Sequence, residues 1–340
     1  MQPTNVERME LAPGLSCARV LNGLWQVSGA HGQINPAAAV DAMFAYHDAG
    51  LTSWDLADHY GPAEDFVGSF RRRLAAERGA AALAQMQAFT KWVPRPGPMP
   101  RPLVEAAINQ SLRRMGVETL DLLQFHWWDY SNPAYLDALG HLAALRDAGK
   151  IRHLALTNFD TQRLEIIAQH GIRVVSNQVQ FSLVDLRPTQ RMAAFCQQHG
   201  VALLAYGTLC GGLLTERFLG RPEPTRAELN TASLRKYKQM VDLWGGWDLF
   251  QELLSALNGI AARHGATIAS VAVRAILDQP AVAGVIVGAR LGQSAHIADT
   301  LRTFSLRLPP EDHSRIDAVL HRSRDLFRSI GDCGDEYRAL

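Results

Sequence analysis

Four polar residues, each of a type that can hold or move a proton, follow separate apolar runs of the chain. They are Asp55, Tyr60, Lys91 and His126. An ammonium within ~4–6 Å of a phenol favours the phenolate, so Lys91 would lower the pKa of Tyr60 from ~10 towards neutral pH. Asp55 would keep the lysine charged and oriented, and His126 would donate a hydrogen bond to a substrate oxygen. This set of residues therefore predicts proton transfer to or from an oxygen.

Each of the four residues also has an interpretation without chemistry. Asp55 and Lys91 are consistent with a structural ion pair at a strand end. Tyr60 is consistent with a surface or core tyrosine, and His126, within QFHWWDY, with a histidine packed against tryptophans. Their joint placement on consecutive predicted strands favours one shared site, because the ends of neighbouring parallel strands meet at one face.

The elements that would position these residues alternate between short β-branched or aromatic runs and longer stretches with helical spacing. Strand starts recur roughly every 30 residues, the length of one βα unit. Eight units predict a (β/α)8 TIM barrel of class α/β, with the active residues at the carboxyl ends of its strands. The predicted strands are 20–25, 52–55, 87–90, 120–125, 151–157, 174–180, 201–206 and 282–287.

A doubly wound sheet is the competing architecture, and it would require a glycine-rich turn after the first strand. The chain reads QVSGAHG there, without GxGxxG, which favours the barrel. We therefore predict one barrel domain over residues 1–340, with a C-terminal helix and tail. After the seventh strand we predict a long loop, 207–248, and an extra helix, 249–264.

Composition and charge exclude several classes of function. The 340 residues include 34 Lys and Arg against 33 Asp and Glu, so the net charge of +1 gives no overall attraction to nucleic acid or to an anionic membrane. No run of ~18 apolar residues and no signal-peptide core occurs, so we expect a cytoplasmic protein. The four cysteines form no CxxC pair, which argues against a zinc site and a disulfide framework. We expect no metal.

Seven motifs, in the same order along nearly the whole chain, resemble the aldo-keto reductase superfamily. They are WDLADHYG, FTKW, DLLQFHW, LALTNFD, SNQVQFS, AYGTLCGGLLT and VIVGAR. In that family an Asp, Tyr, Lys and His tetrad performs the chemistry, and the matching positions are Asp55, Tyr60, Lys91 and His126. The resemblance implies hydride transfer between a nicotinamide cofactor and the carbonyl or alcohol carbon of a small substrate, with Tyr60 as the proton donor.

The resemblance also implies contacts with the nicotinamide half of the cofactor. Thr157, Asn158 and Gln178 would hold the carboxamide, and Tyr206 would stack on the nicotinamide ring. Small residues and free backbone N–H groups would line the pyrophosphate. The residues implied there are Gly207, Leu209 and Gly211.

At the adenosine end, the resemblance implies contacts from Gly288, Arg290 and Ser294. Arg290 could meet a 2′-phosphate, which favours NADP(H) over NAD(H). The family usually carries Gln and Asn at the positions where this chain has Ser294 and Ala298. This departure leaves NAD(H) open as the cofactor.

Tryptophans next to predicted strand ends suggest an aromatic wall around the substrate. Trp25, Trp92 and Trp127 are the candidate substrate contacts, with Trp128 and the long loop nearby. Packing between barrel and helices is the other interpretation of each. Sugars, aliphatic aldehydes, quinones and pyridoxal-like compounds are all compatible with such a pocket, and the direction of reaction and the oligomeric state stay open.

Two other classes of function remain to be distinguished. One is a nicotinamide-binding barrel that serves as a regulatory or partner-binding subunit, against which the intact tetrad argues. The other is a metal-dependent barrel hydrolase that uses Asp55, Asp58 and His126. Lys91 weakens the second alternative, because its ammonium would compete with a metal cation.

Overall fold

Eight parallel strands close into a barrel in the residues that this computed structural model describes, 6–29, 34–293 and 296–338. Each strand pairs with the next along the chain, and the last pairs with the first. The predicted (β/α)8 fold is confirmed, and the predicted strand bounds agree to within two residues. The barrel strands are β3 (Val20–Gly23), β4 (Ser53–Asp55), β5 (Gln87–Trp92), β6 (Leu120–Phe125), β7 (Ile151–Thr157), β8 (Ser176–Gln180), β9 (Ala202–Tyr206) and β10 (Val282–Gly288).

An antiparallel hairpin, β1 (Arg8–Ala12) and β2 (Leu15–Ala18), precedes the barrel and was not predicted. Its apolar side chains pack with residues that point into the barrel, such as Leu21 and Phe89. The hairpin therefore closes one end of the barrel core. Its strands have only five and four residues, and three residues of the first strand are exposed. Strands this short show too little apolar periodicity to be predicted from the sequence.

Helices surround the barrel and bury their apolar faces against the outer surface of the strands. No single described helix is both long and apolar enough for a membrane span, and one pair, α8 and α9, bent by 94°, is long and apolar enough only when the two are joined. The helices are α1 (Pro36–Asp48), α2 (Ala63–Ala84), α3 (Arg101–Met115), α4 (Tyr135–Asp147), α5 (Thr161–Gln169), α6 (Met192–His199), α7 (Ala232–Trp244), α8 (Trp247–His264), α9 (Ile268–Leu277), α10 (Ile297–Ser305), α11 (Pro310–Leu320) and α12 (Leu326–Ile330).

Three helices, α7, α8 and α9, lie between β9 and β10, where we predicted a long loop followed by one extra helix. Helix α8 matches the predicted 249–264, but α7 lies inside the predicted loop 207–248. Thr231 begins α7, because its hydroxyl accepts a hydrogen bond from the backbone N–H of Leu234. Trp244 and Trp247 are buried in the core rather than exposed on a loop. The prolines before α7 led to the prediction of a loop, although the chain has Thr231, a residue typical of helix N-caps, directly before the helix.

Candidate active site

The four proton-transfer residues lie at the carboxyl ends of three adjacent strands. Asp55 is the last residue of β4, Lys91 is next to last in β5, and His126 directly follows β6. Tyr60 lies in the connection between β4 and α2 and is half-buried. Asp55, Lys91 and His126 are almost fully buried. The barrel thus places all four at one mouth, as predicted from the strand ends.

Asp55 and Lys91 form a buried ion pair whose polar atoms are satisfied. The Lys91 ammonium donates to Asp55 Oδ2 at 2.6 Å and to the Leu56 carbonyl at 3.0 Å. Asp55 Oδ1 accepts from the side-chain amides of Gln124 at 2.9 Å and Gln178 at 2.7 Å. A buried charge is stable only when it is paired and hydrogen-bonded, so this network holds the lysine in one place. Gln124 was missed by sequence reasoning.

Tyr60 lies beside the ion pair, but its pKa shifts opposite to the expectation. The Lys91 ammonium is 5.1 Å from the centre of the Tyr60 ring, and Trp25 meets the ring edge-on at 5.0 Å. Burial, with the Asp55 carboxylate, holds the pKa of Tyr60 well above its ordinary value. The Lys91 ammonium, which is paired with Asp55, does not outweigh these effects. Tyr60 is therefore a protonated phenol, the form that can donate.

His126 is oriented by the backbone of the next strand. Its Nδ1 lies 3.0 Å from the Thr157 carbonyl, which can only accept, so Nδ1 carries the proton. Burial lowers the pKa of His126 to about 3, so the ring is neutral. Its Nε2 is buried and finds no hydrogen-bond partner among the described residues. Nε2 is thus an acceptor, which corrects the expectation that His126 donates to the substrate.

The residues implied for the nicotinamide carboxamide and ring lie at the ends of β7, β8 and β9, and they form two hydrogen-bonded pairs. Tyr206 donates its hydroxyl to Asn158 Oδ1 at 2.9 Å, and the Thr157 hydroxyl donates to the Gln178 carbonyl at 3.1 Å. Asn158 adopts a left-handed backbone, with φ of 58°. The Gln178 side chain bonds Asp55 and Gln124 instead, so it connects this region to the tetrad.

The glycines implied for the pyrophosphate have a packing role in this structure. Gly207 and Gly211 have φ of +72° and +65°, and a Cβ on Gly207 would lie 2.2 Å from the Tyr237 hydroxyl. Tyr237 of α7 packs directly on this turn, and Leu209 between the glycines is half-buried. Only glycine permits both the backbone conformation and this approach.

At the other implied end of the cofactor, Gly288 ends β10 and touches the side chain of Gln26. Arg290 is exposed, donates to Gln293 Oε1 at 2.9 Å, and has no acidic partner among the described residues. Its charge is therefore available to an anion. Ser294 lies outside the described residues.

The candidate tryptophans separate into two groups. Trp25 contacts Tyr60 at the mouth, whereas Trp92 is buried against Phe125. Trp127 is fully buried and donates its N–H to the carbonyls of Asp129 and Asn132. Trp128 is 40% exposed and meets the His126 ring at 4.2 Å. Trp25 and Trp128 line the mouth, and Trp127 lies beneath it.

The C-terminal tail, residues 331–338, crosses this mouth. The Tyr337 hydroxyl is 2.9 Å from that of Tyr206, and its ring centre is 6.3 Å from that of His126. The neighbouring Glu336 pairs with Arg187 at 3.0 Å, and Arg187 pairs with Asp185 at 2.7 Å inside the protein. These contacts join residues far apart in the chain, so no local pattern could reveal them. A tail was predicted, but its place was not.

The donor set at the mouth suits proton transfer to an organic oxygen better than metal binding. A protonated phenol, a fixed ammonium and a neutral imidazole face one opening. Both carboxylate oxygens of Asp55 are occupied by Lys91 and two amides, so they are not available as ligands. Among the described residues, no group of three or more His, Cys, Asp or Glu side chains is arranged to hold a metal ion. The hydrolase alternative therefore lacks its ligands.

Comparison with known proteins identifies the family. The model of the "Aldo/keto reductase family" matches residues 19–321. The chain belongs to this family. The aldo/keto reductases are oxidoreductases that act on carbonyl groups with nicotinamide cofactors, and the matched residues include the whole tetrad.

Individual relatives of this aldo/keto reductase carry different names. "Flagellar radial spoke protein 5" of Chlamydomonas reinhardtii is 30% identical over 65% of this chain, which spans about half, 49%, of that protein. "L-glyceraldehyde 3-phosphate reductase" of Escherichia coli O157:H7 is 26% identical over 81% of each chain. The structure of a glycerol dehydrogenase from Gluconobacter oxydans superimposes with a TM-score of 0.77 at 23% identity, covering 96% of this chain and 97% of that one. The last likeness supports the fold.

Proposed function

We propose that the protein is an NAD(P)(H)-dependent oxidoreductase that transfers a hydride between nicotinamide and the carbonyl or alcohol carbon of a small substrate, with Tyr60 as general acid and base. One observation carries this proposal. A protonated phenol lies next to a buried Lys91–Asp55 pair, at the same mouth as His126 Nε2, which no described residue bonds. These groups suit an oxygen that gains or loses a proton while its carbon changes oxidation state.

Tyr60 would donate its proton to the carbonyl oxygen as that oxygen becomes negative. The Lys91 ammonium, 5.1 Å from the ring centre, would then stabilise the phenolate that remains. The alcohol product has a new O–H group, and His126 Nε2 can accept a hydrogen bond from it. General acid catalysis of this kind contributes ~10²–10⁴-fold, and orientation of the bound substrate supplies much of the remainder.

The residues at the mouth fit a nicotinamide nucleotide, which supplies or accepts the hydride when bound. Asn158 and Tyr206, now bonded to each other, would exchange that bond for contacts with the carboxamide and the nicotinamide ring. Arg290, exposed and without an acidic partner among the described residues, favours NADP(H) through the 2′-phosphate. The other proposed contacts are Thr157, Gln178, Gly207, Leu209, Gly211, Gly288 and Ser294.

The substrate would enter between Trp25 and Trp128, with Trp92 and Trp127 supporting that wall from beneath. One related protein is named for a three-carbon hydroxylated substrate, L-glyceraldehyde 3-phosphate. Together with the acceptor atom of His126, this supports a small hydroxylated aldehyde, ketone or alcohol. Cys17, Cys196, Cys210 and Cys333 are all free and buried, consistent with the reducing cytoplasm that we propose as the compartment.

Tyr60→Phe tests the proposal, because it removes the donor and keeps the ring. We expect turnover of a panel of aldehydes and ketones, followed at the nicotinamide absorbance, to fall by at least ~10²-fold. NADPH affinity, measured by fluorescence quenching, should change little. Tyr46→Phe, a buried tyrosine on α1, is the matched control and should keep its turnover. Wild-type turnover in Tyr60→Phe would refute the assignment of the acid.

A second candidate, a nicotinamide-binding subunit with a regulatory or partner-binding role, is favoured by the similarity to a flagellar radial spoke protein. One measurement of hydride transfer distinguishes the two candidates. NADPH and NADH are each offered with the full panel, in both directions. Nucleotide that binds but exchanges no hydride with any carbonyl or alcohol would support the second candidate.

A further inference from the structure

Lys236 of α7 points towards the mouth and is surrounded by aromatic rings. Its ammonium is 4.4 Å from the ring centre of Tyr337 and 5.3 Å from those of Tyr206 and Tyr237. It also donates a hydrogen bond to the Tyr337 hydroxyl. Lys236 therefore touches both the tail and the tyrosine proposed to stack on nicotinamide.

Lys236 differs from two other lysines of this region in the partners of its charge. Its neighbour Lys238 pairs with Glu223 and Asp242, and Lys91 pairs with Asp55. Among the residues that the structure describes, no carboxylate comes within ion-pair distance of Lys236. Aromatic rings attract a cation but leave its net charge in place. The mouth therefore carries a positive charge that would attract an anion.

Lys236 extends towards the tail rather than over the glycine turn. The next residue, Tyr237, covers Gly207 and Gly211, where the cofactor pyrophosphate is proposed. Lys236 instead reaches Tyr337, whose ring also faces His126 at 6.3 Å between centres. One aromatic ring thus separates the ammonium from the imidazole that would accept a hydrogen bond from the product hydroxyl.

The tail that helps to position Lys236 is firmly held. Glu336 pairs with the buried Arg187, and Arg338 donates to the Trp127 carbonyl at 2.6 Å and lies 3.7 Å from the Tyr130 ring centre. Tyr337, between these two anchors, is consequently a fixed wall of the pocket. A wall that presents an ammonium can select substrates by charge.

We propose that Lys236 binds an anionic group of the substrate, so that the enzyme prefers carbonyl compounds that carry a carboxylate or a phosphate on a short carbon chain. The carbonyl oxygen would accept the hydrogen bond of Tyr60, and the anionic group would exchange with the Tyr337 hydroxyl as the partner of Lys236. This inference rests on the proposed function, because it concerns the substrate of the same site.

Lys236→Met tests the inference through a selectivity ratio. For wild type and variant, kcat/KM is measured for succinic semialdehyde against butanal, and for glyceraldehyde 3-phosphate against glyceraldehyde. We expect the ratio of anionic to neutral substrate to fall on the order of tenfold or more, mainly through KM. Arg235→Met, which removes an exposed charge one residue away, is the matched control and should leave the ratio unchanged. Lys236→Arg should retain most of the preference.

An unchanged ratio in Lys236→Met would overturn the inference. So would weaker NADPH binding with an unchanged ratio, because the lysine would then serve the cofactor. A binding measurement separates this inference from the proposed function: butyrate and inorganic phosphate are titrated against tryptophan fluorescence without turnover. Binding to wild type and Arg235→Met, but more weakly to Lys236→Met, supports the anion site even if no carbonyl is reduced. Equal binding to all three proteins refutes it.

Discussion

Gln124 donates its side-chain amide to Asp55 Oδ1 across 2.9 Å inside the barrel, and its own Oε1 accepts from Gln178 at 2.7 Å. Gln124→Met removes both bonds and leaves buried polar atoms short of a partner. We expect the free energy of unfolding to fall by about 1–3 kcal/mol, measured by urea denaturation. Turnover should fall as well, because Asp55 would hold Lys91 less firmly.

The matched control for Gln124 is an exposed glutamine with the same chemistry. Gln190 donates to Asp325 Oδ1 at 2.9 Å on the surface. Gln190→Met should change the free energy of unfolding by no more than about 0.5 kcal/mol. An equal loss in both variants would show that the buried network adds no stability of its own.

Arg187 ties the tail to the barrel through a buried ion network. It is 1% exposed and bonds Asp185 through two nitrogens and Glu336 through a third. Arg187→Met leaves Asp185 without its charge partner, so we expect a loss of about 3–5 kcal/mol in the free energy of unfolding. Amide hydrogen exchange in residues 331–338 should also become faster, since the tail loses an anchor.

Arg328 is the control for this variant, because its pair with Asp325 is exposed. Arg328→Met should lower the free energy of unfolding by less than about 0.5 kcal/mol. If Arg187→Met left exchange in the tail at the wild-type rate, the ion pair would not be what holds it.

The buried His126 makes stability depend on pH. Burial lowers its pKa to about 3, whereas an unfolded histidine titrates near ~6.5. Between these values the unfolded chain binds the extra proton, so stability is lost as the pH falls below ~6.5. From pH 6.5 to pH 5, this one residue should lower the free energy of unfolding by about 1–2 kcal/mol.

Urea denaturation of wild type and His126→Gln at pH 7, 6 and 5 measures that contribution. The variant should lose less stability than wild type over this range, since it carries no titrating group there. His199→Gln, at an exposed position, should follow the wild-type curve. Parallel curves for wild type and His126→Gln would contradict the lowered pKa.

Gly207 is required by both its backbone and its neighbour. Its φ is +72°, and a Cβ would lie 2.2 Å from the hydroxyl of Tyr237. Gly207→Ala therefore adds a steric clash to a strained backbone, and we expect a loss of about 2–4 kcal/mol in the free energy of unfolding. Gly200 has φ of +65° with no heavy atom near its added Cβ. Gly200→Ala should therefore lower the free energy of unfolding only by the backbone strain, about 1 kcal/mol. Equal losses would rule out the clash with Tyr237.

Much of the barrel could be predicted because each strand is a local pattern. Apolar runs bounded by polar residues recur with the spacing of βα units, and the ends of those runs locate Asp55, Lys91 and His126. The patterns failed where they were short or interrupted. The hairpin β1–β2 has few residues per strand, and prolines before α7 suggested a loop.

The chemical states of the site could not be predicted, because they depend on neighbours in space. Tyr60 was expected to have a lowered pKa, but Lys91 is paired with Asp55, and burial raises it instead. His126 was expected to donate to the substrate, but its one N–H, at Nδ1, donates to the Thr157 carbonyl. Trp127 and Trp128 are adjacent in sequence, yet one is fully buried and the other lines the mouth.

The sequence by itself determined the order of strands and helices, and with it the set of polar residues at strand ends, because periodicity and strand length are local properties of the chain. Only the tertiary structure decided what surrounds that set. Tyr337 reaches Tyr206 across 131 residues, and Lys236 meets both. Contacts of this kind arise from the closure of the barrel and the path of the tail, and no spacing along the chain encodes them.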